Sequence, residues 1–206
     1  SYLNEMSKIA LKYGGTIDKF VGDAILIFFG DPETKGDKED AYSCVLMALE
    51  MQERMHHLKN LWEGQGITNP LEIRIGINTG YCNVGNFGSE NRLDYTIIGG
   101  EVNLASRLES NAMTGQILIS QETYALIKKH IVCEKKDEIK VKGIAHKIQT
   151  YQVVGSYKNI AQKRKILNEK FDGFNLNIDL NISKKNKVIT SLENTLKQLK
   201  KDEKSN

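Results

Sequence analysis

Residues 18–30, DKFVGDAILIFFG, set a lysine and an aspartate at the tip of an otherwise apolar hairpin. Val21, Ala24, Ile25, Leu26, Ile27, Phe28 and Phe29 can fill two strands, and Gly22-Asp23 has the chemistry of a tight turn. Asp23 also offers hard oxygen atoms of the kind that hold Mg²⁺, and Lys19 offers a donor-only ammonium. Further along, in GGEVNLASRLESNA (99–112), Asn103 and Arg107 stand one helical turn apart on one face. The rigid fork of an arginine suits phosphate oxygens. Taken singly, each residue also has an ordinary structural use. Asp23 can be a turn former and Lys19 a snorkelling edge residue; Asn103 and Arg107 can form a surface pair, and Thr96 is a good strand residue.

These side chains need elements to hold them. Residues 2–13 read as the end of an amphipathic helix stopped by Gly14-Gly15. Short strands follow at 16–20 and 24–28. A long helix runs from Asp37 to Leu61, keeping Ala41, Val45, Ala48, Leu49, Met55 and Leu58 on one apolar face. LEIRIGINTG (71–80) alternates as a strand, Gly85, Gly88 and Ser89 mark a loop after the next strand, and Tyr95–Ile98 forms a further short one. The helix over 99–112 turns Leu104 and Leu108 inward. GQILIS, a helix from Gln121, EIKVKG and IQTYQVV continue the alternation. The fold class this predicts is α/β (an α+β sandwich), with helices packed on a mixed, mainly antiparallel sheet. After residue 155 the character changes: FDGFNLNIDLNI alternates as a strand, and 184–201 form a Lys-rich helix with Ile189, Leu192, Leu196 and Leu199 on one stripe. Two parts are expected, 1–155 and a basic extension, 156–206.

With 206 residues, 40% hydrophobic and 27% charged, the chain can bury a proper core. No run approaches ~18 apolar residues and no signal-peptide pattern is visible. Cys44, Cys82 and Cys133 lack metal-ligand spacing and read as reduced core thiols in a cytoplasmic setting. Four scattered histidines argue against a zinc site. The net charge of +3 divides unevenly: 17 Lys/Arg against 20 Asp/Glu in residues 1–155, and 12 against 6 in residues 156–206. The basic tail lacks the interleaved aromatic residues of a nucleic-acid surface, so it reads as a solvated helix face.

The run GNFGSENRLDYTIIGGEVNLASRLES (85–110), together with DKFVGDAIL, closely resembles the catalytic domain of class III adenylate/guanylate cyclases. The agreement runs from about residue 2 to residue 155. Within the family, the bacterial or soluble-type adenylate cyclase branch is the best likeness. The resemblance implies a ferredoxin-like βαββαβ core and conversion of ATP to 3′,5′-cyclic AMP and pyrophosphate. The 3′-hydroxyl attacks the α-phosphorus in line, assisted by two Mg²⁺ or Mn²⁺ ions per site. It implies that Asp23 is a metal ligand and that Lys19 and Thr96 read the base. Asn103 and Arg107 then orient the ribose and stabilise the α-phosphate, and Lys142 in VKG holds the terminal phosphates. An ammonium can meet the N1 lone pair of adenine but not the N1–H of guanine. Thr96 stands where the family often has an aspartate, and its hydroxyl can accept from the adenine amino group. The implied partners are ATP and a second copy in a head-to-tail homodimer with shared sites. Nucleic acid is not implied, and a membrane only through a segment ahead of Ser1. A guanylate cyclase, or a degenerate cyclase domain that binds nucleotide or a partner without turnover, are the alternatives.

One departure stands out. The family carries a second metal aspartate on its first core strand, in a motif like F-x-D-I-x-G-F, and the 22 residues before Asp23 contain no such motif. The expectation is therefore an N-terminally truncated chain, inactive by itself and drawn from an active enzyme.

Overall fold

The computed structural model describes residues 2–89, 92–141, 147–157, 166–179 and 185–202. The chain divides into two compact units, Ser1–Ser156 and Tyr157–Asn206. In the first, α1 (Tyr2–Lys12) leads into β1 (Thr16–Val21), β2 (Ala24–Phe28), α2 (Asp37–Gly64) and β3 (Ile75–Ile77). There follow β4 (Asn83–Ser89), β5 (Arg92–Ile98), α3 (Gly100–Asn111), β6 (Ile117–Ser120), α4 (Gln121–Ile127), β7 (Ile131–Lys135) and β8 (Thr150–Ser156).

The main sheet has the order β3-β6-β8-β7; β3 runs parallel to β6, and the other pairs are antiparallel. The pairs β1-β2 and β4-β5 form separate two-stranded ribbons. This is the expected α+β class, with helices on a mixed, mainly antiparallel sheet. All four residues of β6 are buried. Ile117 and Ile119 pack with Ala41, Val45 and Ala48 of α2 and Ile127 of α4, while Leu118 packs with Leu104 and Leu108 of α3. Strand side chains alternate between faces, so β6 is covered on both sides by helices.

The helix α2 buries more than the single stripe its sequence suggests. Ala41, Val45 and Ala48 face the sheet, while Met47, Met51 and Met55 pack with Met6, Ile9 and Ala10 of α1. Ile17, Ile25 and Ile27 of the β1-β2 ribbon lie against this second cluster.

Several expectations need correction. Only Ile75–Ile77 of the 71–80 run is strand, because its ladder partner β6 supplies just Ile117–Ile119 opposite it. Gly85, Gly88 and Ser89 lie within β4, not in a loop, each paired across to Thr96, Leu93 and Arg92 of β5; the complete register outweighs the low strand preference of glycine. Of EIKVKG, the described residues 138–141 contribute a single bridge, Ile139 to Ile148, not a strand; Lys142 and Gly143 lie outside the described residues. The strand β7 has no counterpart in the sequence reading. All three cysteines are free, but Cys82 is exposed. Burial pushes the thiol of Cys44 up to about 12 and that of Cys133 up to about 11.

In the second unit, β9 (Ile166–Phe171) and β10 (Phe174–Asp179) form an antiparallel hairpin around Asp172-Gly173. The turn breaks what the sequence suggests is one strand, and Phe171 stacks on Phe174 with ring centroids 4.5 Å apart. The helix α5 (Lys185–Asp202) follows. Among the described residues no helix is long and apolar enough to cross a membrane.

Gly76 of β3 lies directly under the backbone of α3. A β-carbon there would sit 2.8 Å from Glu109 Cα and closer still to Glu109 N and Ala105 O. These are backbone atoms and no rotamer change relieves them. Gly76→Ala is expected to cost about 3 kcal/mol in urea unfolding, the upper end of overpacking effects. Gly64→Ala, with nothing within 4 Å, should stay within about 0.5 kcal/mol of wild type.

Candidate active site

Strands β1 and β2 pair from Thr16↔Phe28 to Val21↔Ala24, with one irregular step: Ile17 faces Ile27, yet Lys19 faces Leu26. Asp18 is the extra residue of a β-bulge. Successive side chains of a regular strand point to opposite faces; a bulge re-aims them. Here Lys19 Nζ lies 3.4 Å from Oδ1 of its own neighbour Asp18. The Asp18 side chain is only 1% exposed, against 46% for Lys19. A carboxylate so deeply buried needs donors, and β5 supplies them. Thr96 Oγ1 donates to Asp18 Oδ2 at 2.6 Å, and the Ile97 backbone N–H donates to the same oxygen at 3.3 Å. Thr96 is itself buried. The structure therefore brings Lys19 and Thr96 together on the two oxygens of one carboxylate.

A second link ties β5 to this ribbon. The Tyr95 hydroxyl donates to the Asp31 carboxylate just beyond β2, which raises the tyrosine's pKa. Thr16 Oγ1 in turn donates to the Asp31 carbonyl at 2.7 Å.

Asp23 is exposed at the ribbon's tip, after Gly22 at φ +64°. It stands on the rim of an open pocket of about 480 Å³, lined mostly by Tyr2, Leu3, Trp62, Ile67, Pro70 and Leu71. Burial, and after it the charge of Asp23, push the Tyr2 hydroxyl's pKa upward. The pocket lining contains no lysine or arginine.

The α3 helix presents Asn103 and Arg107 to solvent while Leu104 and Leu108 are buried. Its start is pinned by Asn78, whose Nδ2 donates to the Glu101 backbone carbonyl at 3.1 Å and to its carboxylate at 2.7 Å. Asn78 Oδ1 is buried without a partner among the described atoms. Near its other end, Arg74 Nε meets Glu109 Oε1 at 2.6 Å. Among the described residues, no hydrogen bond or ion pair joins Asp23 to Lys19, Asn103 or Arg107. Lys142 lies outside the described residues. Nor do the described residues contain three His, Cys, Asp or Glu placed to share a metal ion. Asp18, which joins Lys19 to Thr96, was not singled out in the sequence; an acid inside an apolar hairpin beside a lysine was the available signal.

Asp18 thus holds one ammonium and one hydroxyl at the ribbon, and α3 presents an exposed Asn-Arg pair. Residues 3–155 match the family model "Adenylate and Guanylate cyclase catalytic domain", and the chain belongs to that family. It is 36% identical over 146 residues to "Adenylate cyclase, terminal-differentiation specific" of Dictyostelium discoideum, covering 68% of this chain and 7% of that protein. It is 31% identical over 156 residues to "Adenylate cyclase 1" of Rhizobium meliloti, covering 75% and 23%. The chain thus spans under a quarter of the length of either relative. Among solved structures, the adenylyl cyclase CyaB from P. aeruginosa matches with TM-score 0.74 and 64% identity, covering 76% of this chain and 80% of that one. The guanylyl cyclase Cya2 matches with TM-score 0.70 and 37% identity, covering 75% and 77%.

The Asn78–Glu101 link sets where α3, and so Asn103 and Arg107, begin. Asn78→Ala removes both hydrogen bonds and is expected to cost about 1–2 kcal/mol. Amide exchange should accelerate in the first turn of α3 and not in the last. Unchanged protection across α3 would show that the link does not hold the helix.

Proposed function

We propose that residues 1–155 are the catalytic domain of an adenylate cyclase that converts ATP to 3′,5′-cyclic AMP and pyrophosphate, with 156–206 as a basic extension. The likenesses include both adenylyl and guanylyl cyclases, so family membership does not choose the base. The observation that carries the choice is the convergence of Lys19 and Thr96 on Asp18. Lys19 donates to adenine N1, where guanine would present an N1–H. Thr96 accepts from the adenine amino group.

In this reading Asn103 orients the ribose and Arg107 stabilises the charge that develops on the α-phosphate, both reaching from the exposed face of α3. The O3′–phosphorus bond forms as the bond to pyrophosphate breaks, and the 3′-hydroxyl proton leaves to solvent. This chemistry asks for positioning and charge stabilisation more than for a covalent partner. Lys142 is assigned to the terminal phosphates.

Asp23 is assigned as one oxygen ligand for Mg²⁺ or Mn²⁺. An exposed carboxylate at a turn suits a hard cation, but a two-ion site needs more oxygens than Asp23 supplies. Bound ions would neutralise the triphosphate and lower the pKa of the attacking hydroxyl. Among the described residues no hydrogen bond or ion pair joins Asp23 to Asn103 or Arg107, and sites shared across a head-to-tail homodimer would bring them together. Three free cysteines fit a reducing, cytoplasmic setting.

In the intact protein, ATP should be preferred over GTP by at least about 100-fold in kcat/KM, because a donor facing a donor in a buried site is a costly mismatch. Asp23→Asn should abolish Mg²⁺- or Mn²⁺-dependent cyclic AMP formation while the dimer persists by light scattering. Comparable ATP and GTP rates overturn the base assignment, and near-wild-type turnover overturns Asp23 as a ligand.

Shared sites have a sharper consequence. Mixing inactive Asp23→Asn and inactive Arg107→Ala chains yields heterodimers in which one site carries both lesions and the other none. With free exchange and equal amounts, about a quarter of wild-type activity should return. Demonstrated exchange without activity rules out the shared site.

A further inference from the structure

A threonine hydroxyl is ambivalent: it can donate or accept. At a base-reading position that ambivalence matters, because adenine presents an amino donor where guanine presents the O6 acceptor. A freely rotating Thr96 could serve either base. The hydroxyl of Thr96 is not free to rotate. Its proton is directed at Asp18 Oδ2, 2.6 Å away, and the carboxylate, as an acceptor-only group, cannot return one. What remains on Thr96 Oγ1 is lone-pair density.

We propose that Asp18 is a specificity-determining positioning residue, which turns Thr96 into an obligate acceptor and aims Lys19 as the companion donor, so that the site selects a 6-aminopurine. This rests on the adenylate cyclase reading above and deepens it. Three observations carry it. The bulge at Asp18 breaks the register of an otherwise regular ribbon, and it places the carboxylate beside Lys19, its own neighbour in sequence. The carboxylate is withdrawn from water, so its hydrogen bonds are not exchanged for solvent. The Ile97 N–H also donates to Oδ2, which fixes the carboxylate's position relative to β5. Asp18 itself need not touch the nucleotide. It acts through Thr96 and Lys19.

Guanine would then meet two mismatches at once, its N1–H against the ammonium and its O6 against lone pairs. Loss of the carboxylate relieves the second. Asp18→Asn keeps the size, yet its amide can offer an N–H to Thr96, which frees the hydroxyl to donate to O6.

The test measures kcat/KM for ATP and for GTP in the intact protein for wild type, Asp18→Asn, Thr96→Val, Thr96→Ser and the double variant Asp18→Asn/Thr96→Val. Asp18→Asn is expected to lower the ATP:GTP ratio by about tenfold or more, the usual scale for one buried polar mismatch. Thr96→Val should lower the ratio too, Thr96→Ser should keep it, and Asp18→Asn should change it no further once the hydroxyl is gone. A merely structural Asp18 would depress both nucleotides equally and leave the ratio at its wild-type value, which overturns the inference. If Asp18→Asn does not fold, the threonine pair decides: an unchanged ratio in Thr96→Val overturns the inference, and a ratio that falls in Thr96→Val and holds in Thr96→Ser supports it. A wild type with no cyclase activity, or with equal rates on the two nucleotides, overturns the adenylate cyclase reading and this inference with it. A wild-type ATP preference that survives Asp18→Asn overturns this inference alone.

Discussion

The four residues of β6 are buried on both faces, and this burial governs where α2, α3 and α4 can go. A strand with apolar side chains alternating to either side needs a layer on each face. The layer built from α2 and α4 takes Ile117 and Ile119; α3 takes Leu118. To reach that position α3 must cross β3 at backbone contact, which only a glycine at 76 permits. Once Leu104 and Leu108 are committed inward, Asn103 and Arg107 have no face left but the exposed one. Core packing thus orients the Asn103-Arg107 face of the helix, to which the catalytic role is proposed.

The β1-β2 ribbon follows a different logic. Its apolar side rests on the methionine-rich contact between α1 and α2, and its other edge meets β5. A fully regular ribbon would point Asp18 and Lys19 to opposite faces. The bulge spends one residue of register to put an acid and a base on the same carboxylate-centred network. The burial of that carboxylate is unfavourable in itself and is offset by a hydroxyl, a backbone N–H and an ammonium. Such an arrangement gives little stability for its size. What it provides is a defined direction for each hydrogen bond.

The proposed functional groups of one chain lie on the β1-β2 ribbon, on β5 and on the α3 face, and Asp23 stands at the rim of the apolar pocket at the ribbon tip. A lone exposed carboxylate and a lone exposed Asn-Arg pair are each weak on their own. Brought together by a second copy they would enclose a nucleotide from both sides and exclude water, which strengthens every electrostatic interaction in the site.

Periodicity and turn chemistry in the sequence were enough to place α1, the β1-β2 ribbon, α2, α3 and β6, because the apolar pattern or turn that marks each lies within a few neighbouring residues. The residue types of Lys19, Asp23, Thr96, Asn103 and Arg107 were equally legible, and the order of their motifs identified the family. Other features depended on partners remote in sequence. The strand over 71–80 shrank to Ile75–Ile77 because β6 is short, and Gly85 and Gly88 entered a strand because β5 supplied a full ladder. The second apolar face of α2 had no meaning until α1 and the ribbon came to cover it. Asp18 is the clearest case. In the sequence it is one more charge beside a turn, and only the fold brings Thr96, 78 residues away, within 2.6 Å of it. Local order follows from neighbours along the chain, but the direction of a hydroxyl proton follows from which acceptor stands across from it. That is decided by tertiary contact.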